Sequence, residues 1–170
     1  MRARSLVLSA LFCALTAVGA QVCLPLPYGK ITLQLFFVLL CAYLLPPRAA
    51  LLSIVSYLTL GLCGAPVFAG FTGGLSIAAS PTFGFLIGMV AAAPLVSQLY
   101  LRLKPRKGAA LLSGLAGLAL IYLLGGLYAA LLMPGAWSAL LVYLPADALK
   151  LTAASALAKP LQNRLNALHK

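Results

Sequence analysis

Long apolar runs, separated by short clusters of cations, follow one another along the whole chain. A helix crossing a hydrocarbon core about 30 Å thick needs about 20 apolar residues. Stretches of that kind run from Ser5 to Leu24, Ile31 to Leu45, Ala49 to Leu62, Pro81 to Leu101, Ala109 to Met133 and Ser138 to Ala158. The second and third are short, and Pro46-Pro47-Arg48 stands between them. A proline cannot donate to a helical ladder and biases its predecessor away from helix, so a tight turn belongs there. One long continuous span would bury Arg48 and two prolines in lipid. The pattern predicts six spans.

Composition narrows the class. Of 170 residues, 64% are apolar and 8% charged, with 12 Lys and Arg against one acid. An ordinary soluble domain carries roughly a quarter charged residues. There is too little polar surface to cover a soluble fold, so the predicted fold class is an all-α integral membrane protein. It is read as a compact six-helix bundle forming one domain over residues 1–170. The net charge of +11 could suggest nucleic acid, but the cations sit between spans. With the N-terminus inside, the inner side receives Arg2, Arg4, Arg48, Arg102, Lys104, Arg106, Lys107, Lys159, Arg164 and Lys170, and the outer side Lys30 alone. The positive-inside rule then places both termini in the cytoplasm of a multi-pass protein, expected in a bacterial inner membrane. The apolar character continues past Ala20 through Val22, Cys23 and Leu24, which reads as an uncleaved first helix rather than a signal peptide.

Asp147 is the only acid, and it falls in the last span. Counting from Trp137, ten residues at about 1.5 Å each place it about 15 Å deep. A charge there costs at least about 2.5–3.5 kcal/mol, so it must face the bundle interior or a cavity and have a partner. Lys150, three residues on, shares its helix face. The pair reads either as a neutral helix lock or as the lining of a polar pocket. Pro145 strengthens the second reading, because it frees the carbonyl of Leu141. Such a group suits a small solute with N–H donors and an anionic end. Gln34 and Thr32, near the outer end of the second span, are candidates to complete the pocket. The outer connection from Cys63 to Ser80 is uncharged and rich in glycine, and irregular backbone of that kind near a membrane lines cavities or covers ligands. Catalysis has no support: a carboxylate pair is missing, the single histidine, His169, stands in the tail, and neither metal-ligand spacing nor a phosphate-binding loop occurs.

Four segments, in order, carry a resemblance: Ile31-Thr32-Leu33-Gln34, Gly64 to Gly74 (GAPVFAGFTGG), Ser80 to Gly88 (SPTFGFLIG) and Pro145-Ala146-Asp147-Ala148-Leu149-Lys150. Together they resemble the BioY family, the biotin-specific substrate-binding (S) subunits of energy-coupling factor (ECF) transporters. The resemblance implies a non-enzymatic six-helix subunit that captures biotin from outside and topples in the bilayer to release it. A membrane coupling protein and two ATPase subunits would supply the energy, and biotin would be transported ligand rather than cofactor. It implies further that Asp147 and Lys150 bind the vitamin and that the glycine-rich connection, with Phe71, Thr72, Gly73 and Gly74, closes over it. Thr72, the backbone N–H groups of Gly73 and Gly74, and Lys30 are candidates for the carboxylate. Phe68, Phe71 and Tyr143 are candidates for apolar walls. Ala10 and Ala14, four residues apart on the first helix, resemble the docking site for the coupling protein, small residues allowing close helix approach. A subunit for another vitamin, a homodimer, and a structural membrane protein with Asp147–Lys150 as a lock remain open.

Overall fold

The computed structural model describes residues 3–26, 29–133 and 136–167. Arg2, His169 and Lys170 lie outside them. The described residues form six α-helices: α1 (Ala3–Gln21), α2 (Gln34–Leu44), α3 (Pro47–Leu62), α4 (Phe83–Leu103), α5 (Ala109–Leu132) and α6 (Ala136–Ala167). The chain is a multi-pass membrane protein: α1, α4, α5 and most of α6 are long and apolar enough to span, while α2 and α3 have 11 and 16 residues. The predicted break between them holds, with Pro47 opening α3, where a missing N–H costs nothing.

The junction between α1 and α2 differs from the expectation. The first helix stops at Gln21, and Cys23–Leu26 (β1) pairs antiparallel with Gly29–Thr32 (β2) in a small hairpin. Val22, Cys23 and Leu24 therefore do not extend the first span, and Ile31 and Thr32 do not open the second. Pro25 forbids a continuing helix, and apolar side chains at the outer end of a bundle fit a strand as well as a helix.

The short α2 is the centre of the molecule. It is apolar almost all round, and Leu35, Val38, Leu39, Cys41, Ala42 and Tyr43 are buried between α1, α4 and α6. Leu118 and Ile121 of α5 and Leu151, Ala154 and Ala158 of α6 complete that core. Polar side chains tie helices to one another by bonding backbone: Ser9 donates to the Ala49 carbonyl at 2.9 Å, Ser97 to Leu45 at 2.6 Å and Tyr43 to Ala110 at 2.8 Å. The closest pairing is α4 with α5, and glycines make it so. A Cβ on Gly88 would lie 2.9 Å from the Ile121 Cα, and Gly84, Gly117 and Gly125 make room for Tyr128, Val96 and Phe85.

The charges segregate by end. Arg4 donates to the Leu165 carbonyl at 3.0 Å and Lys104 to the Gln162 side chain, gathering the start of α1, the α4–α5 loop and the end of α6. The hairpin with Lys30 and the 63–80 connection occupy the opposite end, Lys30 donating to Ala69 at 2.8 Å.

Candidate functional site

Asp147 lies on α6, a helix that packs against α5 and α2. Its carboxylate is 15% exposed and doubly held. Lys150, one turn further and 11% exposed, donates to Oδ1 at 2.6 Å, and Tyr122 of α5 donates to Oδ2 at 2.7 Å. A carboxylate has about four lone-pair sites, so each oxygen keeps capacity for another donor. Lys150 likewise has three N–H donors, of which Asp147 takes one. Negative and positive charge thus stand side by side with acceptor and donor capacity to spare. The ion pair and the tyrosine hydroxyl offset the cost of holding a carboxylate within the bundle.

From Tyr122 the arrangement continues across the interior. Its ring meets Phe85 of α4 edge-on, with centroids 6.1 Å apart, and Gly125 leaves the space that Phe85 fills. One turn along α4, the Met89 sulfur accepts from the Gln34 amide at 3.3 Å. Gln34 is 4% exposed at the start of α2, and a weak thioether acceptor leaves most of its hydrogen-bonding capacity unused. Gln34, Met89, Phe85, Tyr122, Asp147 and Lys150 thereby form a continuous line from α2 through α4 and α5 to α6.

The remaining sequence candidates sit elsewhere at the outer end. Thr32 is in β2, paired with Cys23. Phe71 is 72% exposed, at a left-handed φ of 58°, in a turn that Phe68 and Thr72 close by mutual backbone bonds. Gly73 packs so tightly on the Ala65 backbone that no side chain would fit, and Gly74, at φ 93°, donates to the Gly61 carbonyl at 2.7 Å. Among the described residues, no hydrogen bond or ring contact joins Thr32 or Phe71 through Gly74 to Asp147. Phe68, offered as an apolar wall, is instead buried against Gly61 and Tyr57, their rings 5.5 Å apart. Tyr143 is half-buried one turn before Asp147. Ala10 and Ala14 are exposed on α1 and, with Ala17, line an open groove of about 600 Å³ whose other wall is Leu52, Ser56 and Leu60 of α3.

Sequence reasoning missed Tyr122, Phe85, Met89 and Gln21. The i, i+3 spacing of Asp147 and Lys150 is visible in one helix, whereas the partners contributed by other helices have no signal in a single sequence.

Known proteins are similar to this chain in both sequence and shape. The BioY family model matches residues 1–167. The biotin transporter BioY of Thermotoga maritima is 40% identical over 115 residues, 68% of this chain and 68% of that protein. A probable biotin transporter BioY of Pyrococcus horikoshii is 47% identical over 87 residues, 51% of this chain and 54% of its own length. A probable biotin transporter BioY of Lysinibacillus sphaericus is 42% identical over 115 residues, 67% and 58% respectively. The chain thus spans about half to two thirds of the length of these curated relatives. In shape, it matches the crystal structure of the S-component for biotin from an ECF-type ABC transporter with a TM-score of 0.85 at 22% identity, covering 94% of this chain and 91% of that one.

Proposed function

The chain belongs to the BioY family, and on that premise we propose that it captures biotin at the outer face of the cell membrane as the substrate-binding subunit of an ECF-type transporter. The observation that carries the reading is Asp147, the lone acid, held between Tyr122 and Lys150 with acceptor capacity left on both oxygens. Biotin offers two ureido N–H donors, a ureido carbonyl and a carboxylate. Asp147 accepts from the ureido N–H groups, and Lys150 serves the ureido carbonyl or the carboxylate. Gln34 donates and accepts at the α2 side, while Phe85 and Tyr143 flank the bicyclic ring. Thr32, Phe71, Thr72, Gly73 and Gly74 belong to the outer cover; the Phe71, Thr72 and Gly74 N–H groups are taken by Gln21, Phe68 and Gly61, which leaves the Gly73 N–H and the spare donors of Lys30 for the carboxylate end. No catalytic role is assigned to any of these groups.

The α1–α3 groove is the docking surface for a membrane coupling protein, since Ala10 and Ala14 present almost no side chain to an approaching helix. ATP would be hydrolysed by partner subunits, with the basic end of the bundle facing the cytoplasm.

The test is equilibrium binding of labelled biotin to the purified protein in detergent, wild type beside Asp147→Asn and Lys150→Ala. Saturable binding that either substitution weakens strongly is expected. A well-folded wild type that binds no biotin refutes the reading. The direct 2.6 Å contact between Asp147 and Lys150 also favours a second reading, a helix lock without a ligand. A charge swap, Asp147→Lys with Lys150→Asp, separates the two: a lock survives the swap in thermal stability, and a directional ligand site loses affinity.

A further inference from the structure

The outer connection between α3 and α4 is fastened unevenly. Its first half is pinned to three other elements. Tyr57 of α3 donates to the Val67 carbonyl at 3.1 Å, and Lys30 of the hairpin to Ala69 at 2.8 Å. Gln21, the last residue of α1, holds the turn with both ends of its amide: Nε2 donates to the Phe68 carbonyl at 3.2 Å and Oε1 accepts from the Phe71 N–H at 2.8 Å. Phe68 is buried beneath, and Gly74 is bonded back to Gly61. The second half, a single 3₁₀ turn over Leu75–Ala79, contains no buried residue, and Leu75 is 76% exposed. Among the described residues it is held more lightly: it packs on α4, Ile77 rests half-buried against the Phe68 cluster, and the Tyr128 hydroxyl of α5 donates to the Ala78 carbonyl. Its ends are suited to hinging. Gly74 has a positive φ with open space where a side chain would be, and the Ser80 hydroxyl bonds both the hydroxyl and the N–H of Thr82 before α4 starts.

Tyr128 stands six residues beyond Tyr122 on α5, about 9 Å further toward the outer end. The 3₁₀ turn is therefore tied to the outer end of α5, the helix whose Tyr122 bonds Asp147. We infer that the outer cover has a fixed half and a moving half: residues 65–74 are a wall, Leu75–Ala79 is the strap that opens and closes, and Tyr128 is the positioning residue that latches it without touching the ligand. This rests on the biotin-capture reading. A latch differs from a ligand contact in its kinetics. Weakening it speeds entry and exit together, because both use the same opening. The net contribution of one neutral hydrogen bond corresponds to about a 2- to 12-fold change.

The test uses the full chain in lipid nanodiscs: wild type, Tyr128→Phe and Gln21→Ala, by amide hydrogen exchange and by biotin association and dissociation rates. In the wild type, the Ile77 and Ser80 amides are expected to exchange faster than those of Phe68, Phe71 and Gly74, and biotin to slow the first pair selectively. Tyr128→Phe should raise exchange at Ile77 and Ser80 severalfold, leave the wall within twofold, and raise both biotin rates severalfold with Kd changed less than threefold. Gln21→Ala should do the converse, loosening Phe68 and Phe71. Equal exchange in both halves, a Tyr128→Phe effect spread over both, or weaker binding with an unchanged association rate would overturn the inference. If wild type binds no biotin, the capture reading fails, and the exchange comparison among the variants still decides whether Leu75–Ala79 is the moving half.

Discussion

Removing one oxygen from Tyr122 tests the site with the least disturbance. Tyr122→Phe keeps the ring edge-on to Phe85 and deletes only the hydroxyl that donates to Asp147 Oδ2 at 2.7 Å. Hydrogen bonds to charged groups are worth about 1.5–3 kcal/mol, and the low end applies to a carboxylate that remains 15% exposed and keeps its Lys150 partner. Without ligand, water entering the open site replaces the lost donor, so the empty protein loses little. With biotin in place that water is excluded, and the unpaired lone pair costs its full share. Affinity should therefore fall by about 1.5 kcal/mol, roughly tenfold in Kd. The assay is a double-mutant cycle on biotin binding with Tyr122→Phe, Asp147→Asn and the double variant. If Tyr122 acts by holding Asp147, the double variant loses little more than Asp147→Asn alone. Binding by Tyr122→Phe within twofold of wild type, or losses that add in the double variant, would refute the reasoning.

Two further expectations follow from packing. Gly88→Val places a side chain where a Cβ alone would lie 2.9 Å from the Ile121 Cα, so α4 and α5 must separate at a cost of about 1–3 kcal/mol. A lower midpoint in detergent thermal unfolding is expected, and a wild-type midpoint would show that the helices part without cost. Ala10→Leu with Ala14→Leu fills the α1–α3 groove far from Asp147; co-purification with the coupling protein should be lost while biotin Kd stays within twofold, and retained co-purification would move the docking surface elsewhere.

Much of the architecture is legible in the sequence because lipid leaves few choices. A backbone crossing hydrocarbon must satisfy its own hydrogen bonds, so each long apolar run becomes a helix, and Pro46-Pro47 falls at the break between α2 and α3. The hairpin escapes that logic. Val22 to Leu24 and Ile31 are as apolar as the spans they flank, and at the outer end the backbone can pair across strands instead. Asp147 and Lys150 are legible for a different reason: a lone acid in a span demands a partner, and the same helix supplies it three residues on. Tyr122 and Gln21 are ordinary residues until the fold brings a carboxylate or a loop against them. The glycines of α4 and α5 are equally plain in sequence, yet which residue each one accommodates depends on the register of two helices, which a single chain does not encode locally.

The unequal helix lengths have a consequence for the membrane itself. On the groove side, α1 and α3 have 19 and 16 residues, about 28 and 24 Å, slightly short of a hydrocarbon core about 30 Å thick. On the far side α4 and α5 have 21 and 24 residues and the apolar part of α6, Leu141–Leu165, has 25, about 31, 36 and 38 Å. Mismatch is relieved by tilting the longer helices or by thinning lipid beside the shorter ones, each at fractions of a kcal/mol per Å. A bundle whose two flanks prefer different thicknesses has no single upright orientation that suits both. Bilayer thickness therefore acts as a torque on this subunit, and acyl-chain length becomes a variable that sets its tilt.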